Sequence, residues 1–279
     1  MMCYNFNMLT QILVGILLLA LGFVFAAQNV RPWIDYDFII GWSGLLTLLN
    51  VLSKKLSKLS IFSNVPLLLQ LLFASAFLWW FYEFINLFTK NWAYPKEHLY
   101  MPMEFAILAS ISITTILPLL ILCTRIISGI YGKEVKWKSG SINKQTAGSF
   151  ITIGILFLIL SITHPVIFFP LTWGILALIF DPLNAFNHKK SLLVQIKNKN
   201  YQPLIILAIS SLLAGFFWET MNHFIPKWTY PIEPWFWKLP SPITTKYIQM
   251  PLAGFIGYIP FIWSEFAVFE FLQIKIPWL

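Results

Sequence analysis

One signature of acidic, amide and aromatic residues occurs twice in this chain. Glu83, Asn86, Phe88, Trp92, Tyr94 and Pro95 recur 136 residues later as Glu219, Asn222, Phe224, Trp228, Tyr230 and Pro231. A Glu and an Asn three residues apart share one face of a helix, and we expect the Trp and Tyr that follow to fold back over that face. Each copy therefore predicts a pocket that combines a carboxyl group, an amide and aromatic walls.

A pocket of this kind is suited to acid–base chemistry on an apolar ligand. Carboxyl groups withdrawn from water keep their proton more readily and serve as general acids, while aromatic faces stabilise a cation. Glu104, Glu265 and Glu270 also lie in or near apolar segments, where ionisable residues are costly and are functional candidates by default. Glu265 is the deepest of them and needs a partner from another helix or a proton.

The same residues also have purely structural explanations. Trp and Tyr are enriched at both membrane interfaces as anchors, and this accounts for most of the 13 Trp. A Glu–Asn bond can also do no more than hold a loop. His223 follows Asn222, but a single interfacial His is usually a hydrogen-bonded surface residue.

The composition indicates what kind of elements position the signature. The chain has 279 residues, of which 58% are hydrophobic and only 11% charged, with a mean hydropathy of +0.73. Soluble domains carry about 25% charged residues, so we predict an all-α integral membrane protein.

About eight apolar segments are long enough, or nearly long enough, to cross a bilayer. The predicted segments are Leu9–Ala27, Phe38–Leu52, Val65–Phe88, Met103–Ile127, Ser149–Thr163, Val166–Phe180, Pro203–His223 and Pro251–Leu272. Residues 149–180 as one helix would be about 48 Å long, and Pro165 disfavours helical geometry at His164. We therefore expect two passes there.

The repeat divides the eight helices into two halves. Weaker correspondences link Ser75 to Ser211, Met101-Pro102 to Met250-Pro251 and Trp42 to Trp173. We predict a first membrane repeat over residues 1–138 and a second over 139–279, each of about four helices. Because four is even, the two repeats should be parallel, with both signatures on one side of the membrane.

The basic residues predict the orientation. In the eight-pass arrangement, thirteen of the 19 Lys and Arg fall on one side, so the positive-inside rule places both termini in the cytoplasm, and the cell membrane is the expected location. The net charge of +8 follows from this topology and from attraction to anionic membrane lipid, and needs no nucleic-acid partner.

Several chemistries are disfavoured by what the sequence lacks. Asp35, Asp37 and Asp181 are the only aspartates, so there is no aspartate-rich diphosphate motif, and HExxH, Walker A and GxSxG motifs are absent. Cys3 and Cys123 are the only cysteines and offer neither a disulfide framework nor a zinc cluster. We predict no metal and no cofactor.

The first half resembles the small integral-membrane lycopene cyclase domain, which occurs as two-subunit bacterial cyclases and fused in fungi. The resemblance lies in Tyr82-Glu83, Trp92, Tyr94 and Met101-Pro102-Met103-Glu104, and in the second half in Trp218-Glu219, Trp228 and Tyr230. That family has a Trp-Asp pair, a Trp-x-Tyr or Trp-x-Phe nine residues later and a Pro-x-Glu-Glu helix start, repeated in two halves. Here Glu replaces the aspartate, Phe105 replaces the second Glu, and Leu252-Ala253 follow Pro251.

The resemblance implies cyclisation or isomerisation of a carotenoid or another polyisoprenoid lipid without a cofactor. A carboxylic acid protonates an alkene, aromatic rings stabilise the carbocation, and a carboxylate removes a proton. The implied catalytic residues are Glu83, Glu104 and Glu219. The implied substrate-binding residues are Asn86, Trp92, Tyr94, Asn222, Trp228, Tyr230 and Glu265.

Two other functions stay open at this point. One is a lipid-binding or transport protein, in which aromatic loops that include Trp235-Phe236-Trp237 form a gate. The other is a membrane subunit without chemistry, which would copurify with a fixed partner. The oligomeric state is not determined by the sequence.

Overall fold

The structure is a computed structural model that describes residues 2–231, 240–242 and 244–278, with side chains from residue 8 onward. The aromatic segment 235–237 lies outside the described residues. The helices are α1 (Met2–Gln28), α2 (Trp33–Ser57), α3 (Val65–Thr89), α4 (Pro102–Ile113), α5 (Ile116–Tyr131), α6 (Lys144–Thr163), α7 (Pro165–Phe168), α8 (Ile175–Phe186), α9 (Leu192–Lys197), α10 (Gln202–Phe224), α11 (Leu252–Phe255) and α12 (Tyr258–Phe271). A short hairpin pairs β1 (Lys246–Tyr247) with β2 (Met250–Pro251).

Eight helical segments of the described chain are long and apolar enough to cross a membrane. This confirms the prediction of an all-α, multispanning protein. With eight spans, the connections alternate between two ends of the bundle. We call the end with residues 58–64, 132–143 and 187–201 the basic face, and the end with residues 29–32, 90–101, 225–231 and 244–251 the signature face.

The predicted ends of the three short segments were wrong. The segment predicted as Val166–Phe180 continues to Phe186, past the buried Asp181. The segment predicted as Phe38–Leu52 belongs to the longer α2, whose first turns contain Asp37. An apolar-run criterion stops at such a charge, but the structure buries Asp37 by pairing it with Lys227, whose Nζ lies 2.6 Å from Asp37 Oδ1. The segment predicted from Ser149 begins at Lys144, because the Asn143 side chain caps the helix by accepting from the Thr146 N–H at 2.7 Å.

The segment predicted as one helix from Met103 to Ile127 is broken between α4 and α5. Pro118 has no N–H to donate to the carbonyl four residues earlier, and the break falls there, at Thr114. Ser75 of α3 fills the gap, since its hydroxyl donates to Ile113 O at 2.6 Å and accepts from Leu117 N at 3.0 Å. A serine on one span thus replaces the backbone bonds that another span has lost.

A second serine, Ser264, bridges a gap in backbone hydrogen bonding at the start of α8. The break predicted at His164-Pro165 is confirmed, and a 3-10 turn over Phe169–Gly174 separates α7 from α8. Ser264 of α12 donates to Trp173 O at 2.7 Å and accepts from Ala177 N at 3.0 Å. Both breaks lie within the bilayer-spanning segments, where unsatisfied backbone groups are costly. The serines therefore fix how α3 packs on α4–α5 and how α12 packs on α8.

The core of the protein lies around α5 and α12. Consecutive residues of α5 from Ile116 to Thr124 are all buried, as expected of a helix that is surrounded by others. α5 packs against α2, α3 and α10, and α12 packs against α8 and α10. α1 packs mainly along α2 through glycines, of which Gly22 meets the backbone at Gly41 so closely that a side chain would not fit.

Candidate functional site

The first signature builds a carboxylate that is surrounded by aromatic donors. Oε1 of Glu83 accepts from the indole N–H of Trp79 at 2.7 Å and of Trp92 at 3.1 Å. The Tyr94 hydroxyl donates to the same oxygen. Trp79 lies one helical turn before Glu83 on α3, whereas Trp92 and Tyr94 reach it from the following loop, as the sequence predicted.

Asn86 gives that loop its shape. Its amide nitrogen donates to Trp92 O at 2.9 Å, and its amide oxygen accepts from the backbone N–H groups of Asn91 at 2.9 Å and Trp92 at 3.3 Å. Lys90, at the end of α3, turns the chain with a positive φ of 47°. The loop returns over the helix because one side chain satisfies three of its backbone groups.

Asn222 repeats this arrangement in the second signature. Its amide nitrogen donates to Trp228 O at 2.9 Å, and its oxygen accepts from the N–H groups of Lys227 at 2.9 Å and Trp228 at 3.2 Å. Asn222 is fully buried. In both copies the Asn, rather than a Glu–Asn bond, holds the loop.

The second carboxyl group is bound mainly by phenols. Oε1 of Glu219 accepts from the hydroxyls of Tyr230 at 2.7 Å and Tyr258 at 3.0 Å, and the indole N–H of Trp228 donates to the Tyr230 hydroxyl at 3.1 Å. Glu219 is 0% exposed, and its other oxygen, Oε2, is buried with no hydrogen-bond partner among the described residues. Oε1 of Glu219 therefore accepts two hydrogen bonds, whereas Oε2 accepts none from the described residues.

A glycine explains the difference between the two copies. Gly215 occupies the position that corresponds to Trp79, and a side chain there would overlap the ring of Tyr258. The tyrosine therefore occupies the space that an indole fills in the first copy, and its hydroxyl supplies the missing donor.

The two signature loops are joined by backbone hydrogen bonds. Ala93 N donates to Thr229 O at 3.0 Å, and Thr229 N donates to Ala93 O at 2.9 Å, in an antiparallel bridge. The two carboxyl–phenol sites consequently lie on either side of a single junction on the signature face.

Indole rings connect the two sites beneath this junction. The rings of Trp79 and Trp218 lie 5.4 Å apart between centroids, and Trp92 stacks on Trp173 at 5.8 Å. Trp218 also contacts Trp228 at 5.3 Å. These distances are typical of aromatic pairs in contact, so the aromatic cluster runs without interruption from one signature to the other.

A cavity of about 520 Å³ lies against this cluster. Its lining includes Trp79, Trp173 and Trp218 together with the signature tyrosines Tyr94 and Tyr230. Neither Glu83 nor Glu219 lines it, since each carboxyl group lies behind its tyrosine. The tyrosines, and not the carboxyl groups, therefore form the cavity wall at each signature.

The two tyrosines stay protonated in this environment. Burial, followed by the nearby Glu83 carboxyl, raises the pKa of Tyr94 well above its ordinary value. Burial and the Glu219 carboxyl do the same for the pKa of Tyr230. Both phenols are therefore hydrogen-bond donors over the physiological pH range.

The cavity reaches a charged rim on the signature face, where Asp35, Lys96, Glu97 and Lys227 are part of its lining. Lys227 also donates to Ile34 O at 2.7 Å. Burial lowers its pKa, and the neighbouring Asp37 carboxyl opposes that shift. These contacts attach the second signature loop to α2.

Glu104 takes a different position from the other two predicted catalytic residues. It lies in the first turn of α4, is about one-third exposed and forms an ion pair with Arg31, which also pairs with Asp35 at 3.2 Å. Its neighbour Phe105 lies against the Tyr94 ring at 5.4 Å. Glu104 is thus close to the first site but does not line the cavity.

Three of the predicted substrate-binding residues lie away from the cavity wall. Asn86 and Asn222 use their amide groups on the loops, and neither lines the cavity. Glu265 is 2% exposed within α12, where it lies near Tyr82, and no ion pair involves it within the described ranges. The other four, Trp92, Tyr94, Trp228 and Tyr230, all line the cavity.

Sequence reasoning missed three residues that complete the site. Trp79 lies four residues before Glu83, so helical spacing alone indicates it. Tyr258 and Trp173 come from distant spans. The only sequence signal for Tyr258 is that Gly215 stands where the first repeat has Trp79. The only signal for Trp173 is its weak correspondence to Trp42. In the structure, Trp42 packs on Trp218 at 5.8 Å and Trp173 packs on Tyr82 at 5.2 Å.

Within the described residues, no group of three or more His, Cys, Asp or Glu side chains is arranged to hold a metal ion. Comparison with protein-family models, with curated proteins and with solved structures finds no match to this chain.

Proposed function

We propose that this chain is a membrane isomerase that binds an elongated polyisoprenoid, such as a carotenoid, and cyclises or isomerises it by acid–base chemistry. The observation that carries the proposal is the cavity of about 520 Å³, which has a carboxyl–tyrosine pair on each side and indole rings between them. The resemblance to lycopene cyclases, on the same signature residues, is consistent with this chemistry.

The second site supplies the proton. In the proposed step, the Tyr230 hydroxyl gives its proton to an alkene carbon while Glu219, as a carboxylic acid, returns one to the tyrosine oxygen. The alkene π electrons form the new C–H bond, and the adjacent carbon becomes a cation. Glu219 is suited to this role because it is fully buried and its Oε1, 2.7 Å from the Tyr230 hydroxyl, is placed to exchange a proton with it.

The aromatic cluster stabilises the cation and the first site removes a proton. Trp79, Trp173 and Trp218 line the cavity, and an indole face turned toward the cation provides up to about 2 kcal/mol of cation–π stabilisation when water is excluded. A second alkene attacks the cation and closes the ring. The Glu83 carboxylate, acting through Tyr94, then takes a proton from the neighbouring carbon, so that the product is an isomer of the substrate and no oxidant is needed.

An apolar substrate can reach this cavity from the bilayer. Ile256, between α11 and α12 in the chain, lines the cavity and is also 64% exposed, so an apolar residue of the cavity wall is accessible from outside the bundle. α4 contributes the apolar residues Phe105 and Leu108 to the same lining.

The proposal includes the finer topology predicted from the sequence. The chain consists of two parallel four-helix repeats, with the first signature in residues 1–138 and the second in 139–279, in the cell membrane with both termini in the cytoplasm. The identical Asn-held loops and the bridge between Ala93 and Thr229 support the repeat. Reporter fusions at Ser141 and at Lys96 test the orientation, because the former should report the cytoplasm and the latter the opposite side.

The test of function is chromatography of carotenoid extracts from a lycopene-accumulating bacterial host that expresses this chain. We expect a new isomeric product, which falls at least about 100-fold with Glu219→Gln or Glu83→Gln because a general acid or base is lost. Glu134→Gln removes an exposed carboxylate outside the cavity and serves as the matched control. A product that persists in both signature variants would refute the acid–base mechanism.

A second candidate function, lipid binding or transport, is supported by the position of the carboxyl groups behind the tyrosines. Unchanged extracts from a host with well-folded protein would favour it over isomerisation.

A further inference from the structure

The basic face contains a second, separate pocket. It is an open groove of about 920 Å³, lined among others by Arg125, Lys133, Lys136, Lys138 and Lys190. Glu134 is the single carboxylate in that lining. The groove therefore has a net positive charge of about +4 and lies at the opposite end of the bundle from the aromatic cavity.

Within the described structure no cation of this groove forms an ion pair, although Lys190 Nζ lies over the Trp137 ring at 5.6 Å and the Lys190 N–H donates to Glu270 Oε1 at 3.3 Å. The three ion pairs of the described structure all involve Arg31 or Lys227 on the signature face. Helix C-termini attract basic residues, which accounts for Lys54 and Lys55 in the last turn of α2. The lysines of the groove lie on loops, however, so compensation of a helix dipole does not explain them.

The loop that carries these lysines is held in place. Gln195 is fully buried and bonds the backbone of Lys138 twice, accepting from its N–H and donating to its C=O, each at 2.9 Å. Asn200 donates to Lys136 O at 2.7 Å. Beneath the loop, Trp137 stacks on Phe266 at 5.0 Å. The groove is thus preformed and does not require a ligand to order it.

Arg125 provides a specific donor group at the base of the groove. Its Nη2 is 3.5 Å from Ser57 O, and its Nε is buried with no hydrogen-bond partner in the part of the chain that the structure describes. Arg125 lines the groove, and a guanidinium is the side chain that donates parallel hydrogen bonds to phosphate oxygens.

We propose that this groove binds the phosphate headgroup of an anionic phospholipid. Ile130 and Tyr131, in the last turn of α5 beside the groove, are 66% and 45% exposed, which gives acyl chains an apolar surface next to the headgroup. Clusters of basic residues at the end of a membrane span are typical of anionic-lipid recognition. This site is independent of the proposed isomerase activity.

The test compares two triple variants of the purified chain in detergent. Lys133→Gln/Lys136→Gln/Lys190→Gln removes three charges from the groove. The matched control, Lys55→Gln/Lys144→Gln/Lys199→Gln, removes three exposed charges from elsewhere on the same face. The thermal midpoint is measured with added phosphatidylglycerol, phosphatidylcholine, inorganic phosphate or glycerol phosphate.

We expect phosphatidylglycerol to raise the midpoint, with a half-saturating concentration at least about tenfold higher in the groove variant and within about twofold in the control. Arg125→Lys keeps the charge but loses the planar fork, and should weaken the lipid effect at least about threefold. Equal effects in both triple variants would overturn the proposal in favour of diffuse attraction. Equal stabilisation by inorganic phosphate would overturn it in favour of a free-phosphate site.

Discussion

Asn222→Ala tests whether the signature Asn holds the loop that forms the second site. The substitution removes one donor and one acceptor that together make three hydrogen bonds, at 2.9, 2.9 and 3.2 Å, to the backbone of Lys227 and Trp228. It leaves two N–H groups and one C=O without partners in a buried position.

The size of the effect follows from these bonds. A hydrogen bond contributes about 0.5–1.5 kcal/mol net, and a buried group left without a partner costs about 1–3 kcal/mol. Water reaches some of the freed groups because Lys227 is only partly buried, so we expect a loss of about 2–4 kcal/mol in the free energy of unfolding. Trp228 and Tyr230 also lose their fixed position above Glu219, so product formation should fall with stability.

The assay is reversible unfolding in mixed micelles, followed by Trp fluorescence, for the parent chain, Asn222→Ala and Asn222→Asp. Asn222→Asp keeps the acceptor for both N–H groups and should retain more stability than the alanine variant. An unfolding free energy of Asn222→Ala within about 0.5 kcal/mol of the parent would refute this role of Asn222, because the loop would then not depend on its side chain.

Further predictions concern the helix breaks and the tyrosines. Ser75→Ala and Ser264→Ala each leave a backbone C=O and N–H of another helix unpaired and should cost about 2–3 kcal/mol in the same unfolding assay. Ser210→Ala, where the hydroxyl bonds only its own helix at 2.6 Å, should cost less than about 1 kcal/mol, and equal losses would contradict the bridging role. Since the folded-state pKa values of Tyr94 and Tyr230 are raised, unfolding stability should decline as pH rises above about 10, the ordinary tyrosine value. The Tyr94→Phe/Tyr230→Phe variant should show a smaller decline, and an identical pH profile would count against these shifts.

The fold was largely predictable because it depends on composition and on long apolar runs. All eight spans were found, since about 20 apolar residues in a row have few alternatives. The breaks were less predictable. A proline accompanies each break, Pro165 and Pro118, but the break at Thr114 is also bridged by Ser75, which is distant in the sequence and which no local pattern identifies.

The candidate site was predictable where its residues are close in sequence. Trp92 and Tyr94 fold back over Glu83 as expected, because the loop that joins them to α3 is short and Asn86 sets its shape. The Glu219 site needed Tyr258 from another span, and nothing in the second signature indicates that residue. The pairing of Glu104 with Arg31 was also missed, because it depends on how the loop between α1 and α2 lies against α4.

The most direct test of the acid–base account is mass spectrometry of the product formed from unlabelled lycopene in D₂O by the parent chain. Protonation by an exchangeable carboxyl–tyrosine pair, followed by loss of a carbon-bound proton, predicts one deuterium for each ring closed or double bond moved, and at least about 100-fold less product with Glu219→Gln. A product that carries no deuterium would contradict the account, because the proton would not have come from an exchangeable acid of the protein.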